Sequence, residues 1–138
     1  MTHYKKRQNG FSLIEIMVVV AIMAIIAGIA WSAYRGQSIT GTRSEAVRAT
    51  ARMQGELRDF FSDNLSFVGY AASPAIVNSL THYNIGLNLT ASTYIITLTP
   101  TGTQLDDTDC GSLTLDNIGR KGYTGTAPTE SRCWGSTN

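Results

Sequence analysis

The spacing of apolar positions changes twice along the chain, and each change predicts a different element. Across residues 11–31 apolar side chains are nearly continuous, and only Glu15 among these 21 residues ionises. At ~1.5 Å rise per residue, a helix of that length spans ~30 Å, the thickness of a bilayer's hydrocarbon core. Residues 17–27 are apolar on every helical face, which suits lipid or the inside of a helix bundle. After Trp31 the apolar residues Ile39, Ala46, Val47, Met53, Leu57, Phe60 and Phe61 recur at spacings of three, four and seven. That is one buried stripe on an amphipathic helix, with Arg43, Glu45, Arg48, Arg52, Glu56, Arg58 and Asp59 expected on the solvated remainder. Arg52 and Glu56, four apart, are placed to pair. Gly36 and Gly41 predict a bend or fray, and Asp63-Asn64 ends the helix.

From Leu65 to Thr81 the pattern loses its period, with Gly69 and Pro74 interrupting Phe67, Tyr70, Ile76, Val77 and Leu80; this predicts a packed loop and a short helix after Pro74. Alternation follows. Tyr83, Ile85, Leu87 and Leu89 form one strand pattern, and Tyr94, Ile96 and Leu98 a second that ends at Pro100. Thr90-Ala91-Ser92 is short enough to join them as a hairpin. Leu113 and Leu115 mark a third, short strand. The expected fold is α+β: a long N-terminal helix, membrane half plus amphipathic half, packed on a small antiparallel sheet.

Charge adds orientation to this picture. The 11 basic and 10 acidic residues of the 138-residue chain nearly cancel, so no strongly basic balance advertises nucleic acid. Lys5, Lys6 and Arg7 nevertheless precede the apolar run. By the positive-inside preference they keep the short N-terminal end in the cytoplasm and send the remainder across the membrane. A cleavable secretory signal has an apolar region of only ~7–15 residues, with its cut site after that region. Here the run is longer. Cys110 and Cys133 then lie in an oxidising space, where an even pair predicts a disulfide. Closing the 22 residues between them would contribute ~3 kcal/mol in the chain-entropy model. A metal site on these cysteines would lack companions, because His82 is the only histidine beyond the basic head.

Glu15 is the anomaly in the apolar run. A carboxylate inside a membrane segment costs ~2.5–3.5 kcal/mol or more. Either it sits near the helix end and snorkels to the headgroups, or it meets a cation. A cut after Gly10 would supply one, by freeing the α-amine of Phe11.

The basic head, Gly10-Phe11, the acid at Glu15 and the long apolar run together resemble the class III leader of type IV prepilins and pseudopilins. The resemblance implies that a membrane prepilin peptidase cleaves after Gly10 and N-methylates Phe11. It also implies that Glu15 pairs with the Phe11 amine of a neighbouring subunit during filament assembly. At the other end, Cys110-Gly111-Ser112-Leu113-Thr114-Leu115, Gly119, Gly122 and Cys133-Trp134 are similar to the tail of PilE-type minor pilins. In that family two C-terminal cysteines bracket a disulfide-bounded loop. Ser32 and Ala24 stand where major pilins usually carry proline and glycine, which counts against a role as the main structural subunit.

Chemistry beyond assembly is sparse. No nucleophile–base arrangement is built around His82, so no enzyme activity and no cofactor are expected. Gly119-Arg120-Lys121-Gly122 predicts a β-turn. With Arg132, its Arg120 and Lys121 would form a small basic patch able to touch DNA phosphates in an uptake pilus; a solvated turn or subunit contact is the plainer alternative. Asp106, Asp107 and Asp109 offer oxygen ligands for Ca²⁺, but their spacing fits no defined calcium loop. Trp134 is expected to pack on the disulfide or the sheet.

The expected organisation is therefore a leader over residues 1–10, a transmembrane or filament-core helix over 11–34, and a periplasmic or extracellular globular domain over 35–138. The expected function is that of a minor pilin, anchored once in the inner membrane and then built into a pilus at the cell surface. Its partners would be other pilin subunits, the prepilin peptidase and the inner-membrane assembly machinery. The alternatives are a type II secretion pseudopilin, which the cysteine pair argues against, and a DNA-binding pilus subunit for competence.

Overall fold

The computed structural model describes residues 11–135. The expected leader, with Gly10 and the basic residues Lys5, Lys6 and Arg7, lies outside them. The chain divides into two compact units that meet between Gly36 and Gln37.

From Leu13 onward the first unit is helical. Helix α1 runs from Leu13 to Asn64, and the fray expected near Gly36 and Gly41 is absent from it. Its apolar stretch is long and apolar enough to cross a membrane, and none of that stretch is buried within the chain. Continuous Val, Ile, Met and Ala side chains with one acid leave no polar face, so every face needs an apolar surrounding from outside the chain.

In the second unit, α1 has one face to bury. Ala46, Ala49, Met53 and Leu57 are fully buried, at the spacing of three to four that the stripe predicts. They join Ile96, Leu98, Leu113 and Leu115 of the sheet, together with Cys110, Cys133 and Trp134, in one core. Each fully buried aliphatic side chain of this kind contributes ~1.5–3 kcal/mol. After α1, Leu65 takes a left-handed backbone (φ 54°) and its N–H donates to the Phe61 carbonyl, which closes the last turn. A short helix α2, Pro74–Ser79, starts at the proline, as expected.

The sheet has four antiparallel strands in sequential order: β1 Tyr83–Leu89, β2 Tyr94–Pro100, β3 Leu113–Asp116 and β4 Lys121–Tyr123. Ile96 sits opposite Leu87 on one side and Leu115 on the other, so the three face the core together. The β1–β2 hairpin turn is closed by the Thr90 N–H on the Thr93 carbonyl at 2.9 Å and the Thr93 N–H on Thr90 Oγ1 at 2.9 Å. Strand β4 departs from the plain turn expected over residues 119–122. Gly122 pairs with Thr114, and a side chain at position 122 would collide with Thr114 Oγ1. With only three residues, β4 is too short to show alternation, which is why the sequence pattern does not reveal it.

Helix α3, Glu130–Trp134, carries the second cysteine, and the Cys110–Cys133 disulfide is present with Cα atoms 5.4 Å apart. The intervening chain folds back against the first cysteine: Gly125 N–H donates to the Cys110 carbonyl and Ala127 N–H to the Asp109 carbonyl. Gly125 is required there, because a Cβ at that position would overlap the Asp109 backbone.

Candidate functional site

Phe11 and Glu15 both lie exposed at the start of the described residues, Phe11 just before α1 and Glu15 in its first turn. The Glu15 and Ile16 N–H groups close on the Ser12 carbonyl, at 3.1 and 3.3 Å. A first turn stands near the positive end of the helix dipole, a favourable place for a negative charge. That position gives Glu15 a local reason to be tolerated in an apolar helix, which composition alone does not show. It leaves the carboxylate exposed and available to a cation from outside.

In the second unit the three basic residues of the expected patch come together only in part. Arg120 and Lys121 are adjacent at the β3–β4 connection, and Arg132 stands on α3, which packs against β4. The Arg120 Nε lies 2.6 Å from Asp116 Oδ2, and the Arg132 Nη2 lies 2.9 Å from Asp109 Oδ2. Burial works to raise the Asp116 pKa, but hydrogen bonds from the Arg120 side chain and from the Arg120 and Ile118 backbones outweigh it, holding the carboxyl below its ordinary value. Lys121 has a different environment. Its ammonium stands 5.9 Å from the centre of the Trp134 ring, whose Nε1–H donates to the Gly122 carbonyl at 3.0 Å. Two of the three cations are thus matched by carboxylates, and Lys121 rests on an aromatic face.

The aspartates of the expected calcium cluster diverge. Asp107 is buried and turned toward Arg43, Asp109 pairs with Arg132, and Asp106 is exposed. Among the described residues no group of three or more His, Cys, Asp or Glu side chains converges as a metal site. The adjacency of these acids in sequence does not become a shared coordination sphere, because a 3₁₀ turn over Gly102–Asp106 ends among them and consecutive residues of the turn and its exit point in different directions.

Arg43 is the residue that the helical pattern misplaces. Expected on the solvated face, it is buried, and it ties α1 to the disulfide region. Its Nη1 donates to Cys110 Sγ at 2.8 Å and to the Arg132 carbonyl at 3.0 Å. Beside it, Gln104 Nε2 donates to Asp107 Oδ2 at 3.0 Å, to the Tyr83 hydroxyl at 3.1 Å and to the Ile39 carbonyl at 3.3 Å. Burial and the Asp107 charge push the Tyr83 phenol up to about 12, against the opposing pull of Gln104 and Arg43.

Glu56 also departs from expectation. Instead of pairing with Arg52, its carboxylate accepts the Tyr70 hydroxyl at 2.7 Å and both the N–H and hydroxyl of Ser73. Arg52 donates to the Ser79 hydroxyl at 3.2 Å. Glu56 therefore fastens the segment before α2 to the helix, a role visible only once Tyr70 and Ser73 fold over it.

A family model for the prokaryotic N-terminal methylation motif matches residues 5–31. A second, described as the type IV minor pilin ComP, DNA uptake sequence receptor, matches residues 32–114, more than half of the chain. The chain belongs to this family of type IV minor pilins. Among its relatives, the fimbrial protein EcpC of Eikenella corrodens is 39% identical over 59 residues, covering 43% of this chain and 39% of that protein. A fimbrial protein of Neisseria meningitidis is 29% identical over 72 residues, covering 52% of this chain and 42% of the relative. The type IV major pilin PilE of Neisseria gonorrhoeae is 33% identical over 76 residues, covering 50% and 45%. The minor pilin thus spans about two fifths of the length of these relatives. Its long helix, small antiparallel sheet and Cys110–Cys133 bridge are those of a type IV pilin. Arg120, Lys121 and Arg132 all lie beyond the residues that the receptor family matches.

Proposed function

We propose that this minor pilin is anchored in the inner membrane by its 11–34 helix, carries its 35–138 domain on the periplasmic side, and is then assembled into a filament of pilin subunits. The observation that carries this reading is the apolar part of α1, which is fully unburied within the chain while the 37–138 unit has a complete core of its own. Such a helix is stable in lipid or among identical helices, and transfer between the two changes its hydrophobic free energy little. Charge and close packing then set the register. In this scheme the prepilin peptidase cleaves after Gly10 and methylates Phe11, and Glu15 attracts the Phe11 amine of a neighbouring copy. Glu15→Gln tests the scheme: membrane insertion should persist while incorporation into filaments falls, and normal incorporation would sink the pairing.

The receptor description of the matched family supports a second step, capture of DNA by the 35–138 domain. Of the three patch residues, Lys121 stands on an aromatic ring rather than against a carboxylate, with Arg120 and Arg132 able to exchange a carboxylate for a phosphate at its sides. Titration of duplex DNA with the full chain in detergent micelles tests this step. Binding should weaken steeply with salt, and no binding at low salt would rule it out.

A further inference from the structure

The two sulfurs of the disulfide have unequal surroundings. Cys110 is fully buried, and its Sγ accepts the Arg43 Nη1–H at 2.8 Å. Cys133 is 2% exposed, and it borders a cavity of about 230 Å³ that Arg43, Val47, Arg132 and Trp134 also line. Cys110 does not border that cavity, and among the described residues no cation donates to Cys133 Sγ.

Thiol–disulfide exchange is fastest at the sulfur that an incoming thiolate reaches, and when the departing thiolate is stabilised. A neighbouring cation lowers a thiol's pKa and so stabilises its thiolate. Both conditions select the same direction here. We propose that this disulfide is opened and closed through Cys133, with Cys110 leaving as, and returning from, a thiolate held by Arg43. In the opening direction, the thiolate of a dithiol oxidoreductase attacks Cys133 Sγ from the cavity. A new sulfur–sulfur bond forms to Cys133, the Cys110–Cys133 bond breaks, and its electron pair stays on Cys110. The second thiolate of the reductant then attacks its own first sulfur and releases Cys133. The reductant's two thiols become a disulfide, and the pilin gains two electrons. In the closing direction the oxidised partner is attacked first by Cys133, and the Cys110 thiolate resolves the mixed disulfide.

Arg43 is placed to stay where this step needs it. Its Nε lies 2.9 Å from Asp107 Oδ2, and its Nη1 also holds the Arg132 carbonyl at 3.0 Å. Neither contact runs through the sulfur–sulfur bond. Asp107 opposes a thiolate on Cys110, yet its oxygens are engaged: Oδ2 by Arg43 and Gln104, Oδ1 by the Cys110 N–H at 3.3 Å. The inference rests on the disulfide's surroundings and is independent of the DNA reading.

The oxidised full chain in detergent micelles, given limiting reduced glutathione without denaturant and then N-ethylmaleimide, tests it by peptide mass mapping. Glutathione should be found on Cys133 and maleimide on Cys110, in about tenfold excess over the reverse, because both access and the departing thiolate favour that direction. Glutathione on Cys110, an even split, or no mixed disulfide without denaturant would overturn the proposal. Arg43→Gln should reduce the bias severalfold, and an unchanged bias would remove Arg43 from it. The wild-type map decides the direction even where that variant fails to fold.

Discussion

Arg43 Nε lies 2.9 Å from Asp107 Oδ2, with the two side chains only 10% and 2% exposed. The approach is close in distance, but its angle leaves the Nε–H without a hydrogen bond, so the pairing is one of charge. Directed hydrogen bonds come from Nη1 instead, to Cys110 Sγ and the Arg132 carbonyl. Removing one partner of a buried pair strands the other's charge, which costs ~3–5 kcal/mol. Asp107→Asn and Arg43→Met should each lower the unfolding free energy of the full chain in micelles by about that amount. Replacing both by apolar residues should cost less than the two singles together, because no charge is left stranded. Urea titration checks this, and additive losses would contradict it.

Glu56 links stability to pH. Burial works to raise its pKa, but hydrogen bonds from the Ser73 and Tyr70 side chains and the Ser73 backbone outweigh that and lower it from 4.5. A lowered folded-state pKa means that the contribution is fully present above the unfolded value and is lost as pH falls through the folded one. Thermal melting should therefore drop as pH is taken from about 5 into the acid range below it. In Glu56→Gln the melting temperature at neutral pH should be lower and the acid-dependent drop smaller. An identical pH profile in the variant would show that Glu56 contributes nothing to it.

The disulfide should be worth ~2–5 kcal/mol to the 37–138 unit. Cys133→Ser is expected to bring the unfolding midpoint down accordingly, measured again on the full chain. A midpoint unchanged by the substitution would mean that the hydrogen bonds from Gly125 and Ala127 to the Cys110–Asp109 backbone hold the loop unaided.

Periodicity carried the fold further than it carried the site. Ala46, Met53 and Leu57 on α1, the alternation in β1 and β2, and the Cys110–Cys133 pair all appear in the sequence where the structure places them. Those features are repeated or covalent, so a pattern reveals them. Arg43, Glu56 and Asp107 were obscured because each takes its partner from a distant segment, and spacing carries no information about such partners. Arg43 stands at the edge of the stripe, where a guanidinium belongs equally to water or to a buried acid. Arg120 and Arg132 were visible as charges, but their pairing with Asp116 and Asp109 is a property of the folded loop. At the other end, Glu15 was legible as an anomaly, while its place in the first turn of α1 comes from the structure.

Lys121 makes the DNA step testable at one residue. Each phosphate contact contributes about 0.9 to the slope of log binding constant against log salt. Lys121→Ala should weaken duplex binding across all sequences alike and reduce that slope by about one. Asp116→Asn should strengthen binding at low salt, because it releases the Arg120 guanidinium. If neither substitution changes affinity, the β3–β4 face does not carry the contact.

The most direct test of the filament account is the intact mass of this subunit recovered from sheared pili. The account predicts a chain beginning at N-methylated Phe11, with the Cys110–Cys133 bond in place. A subunit that retains Met1 and the leader within assembled pili would contradict it, as would pili from which this chain is absent.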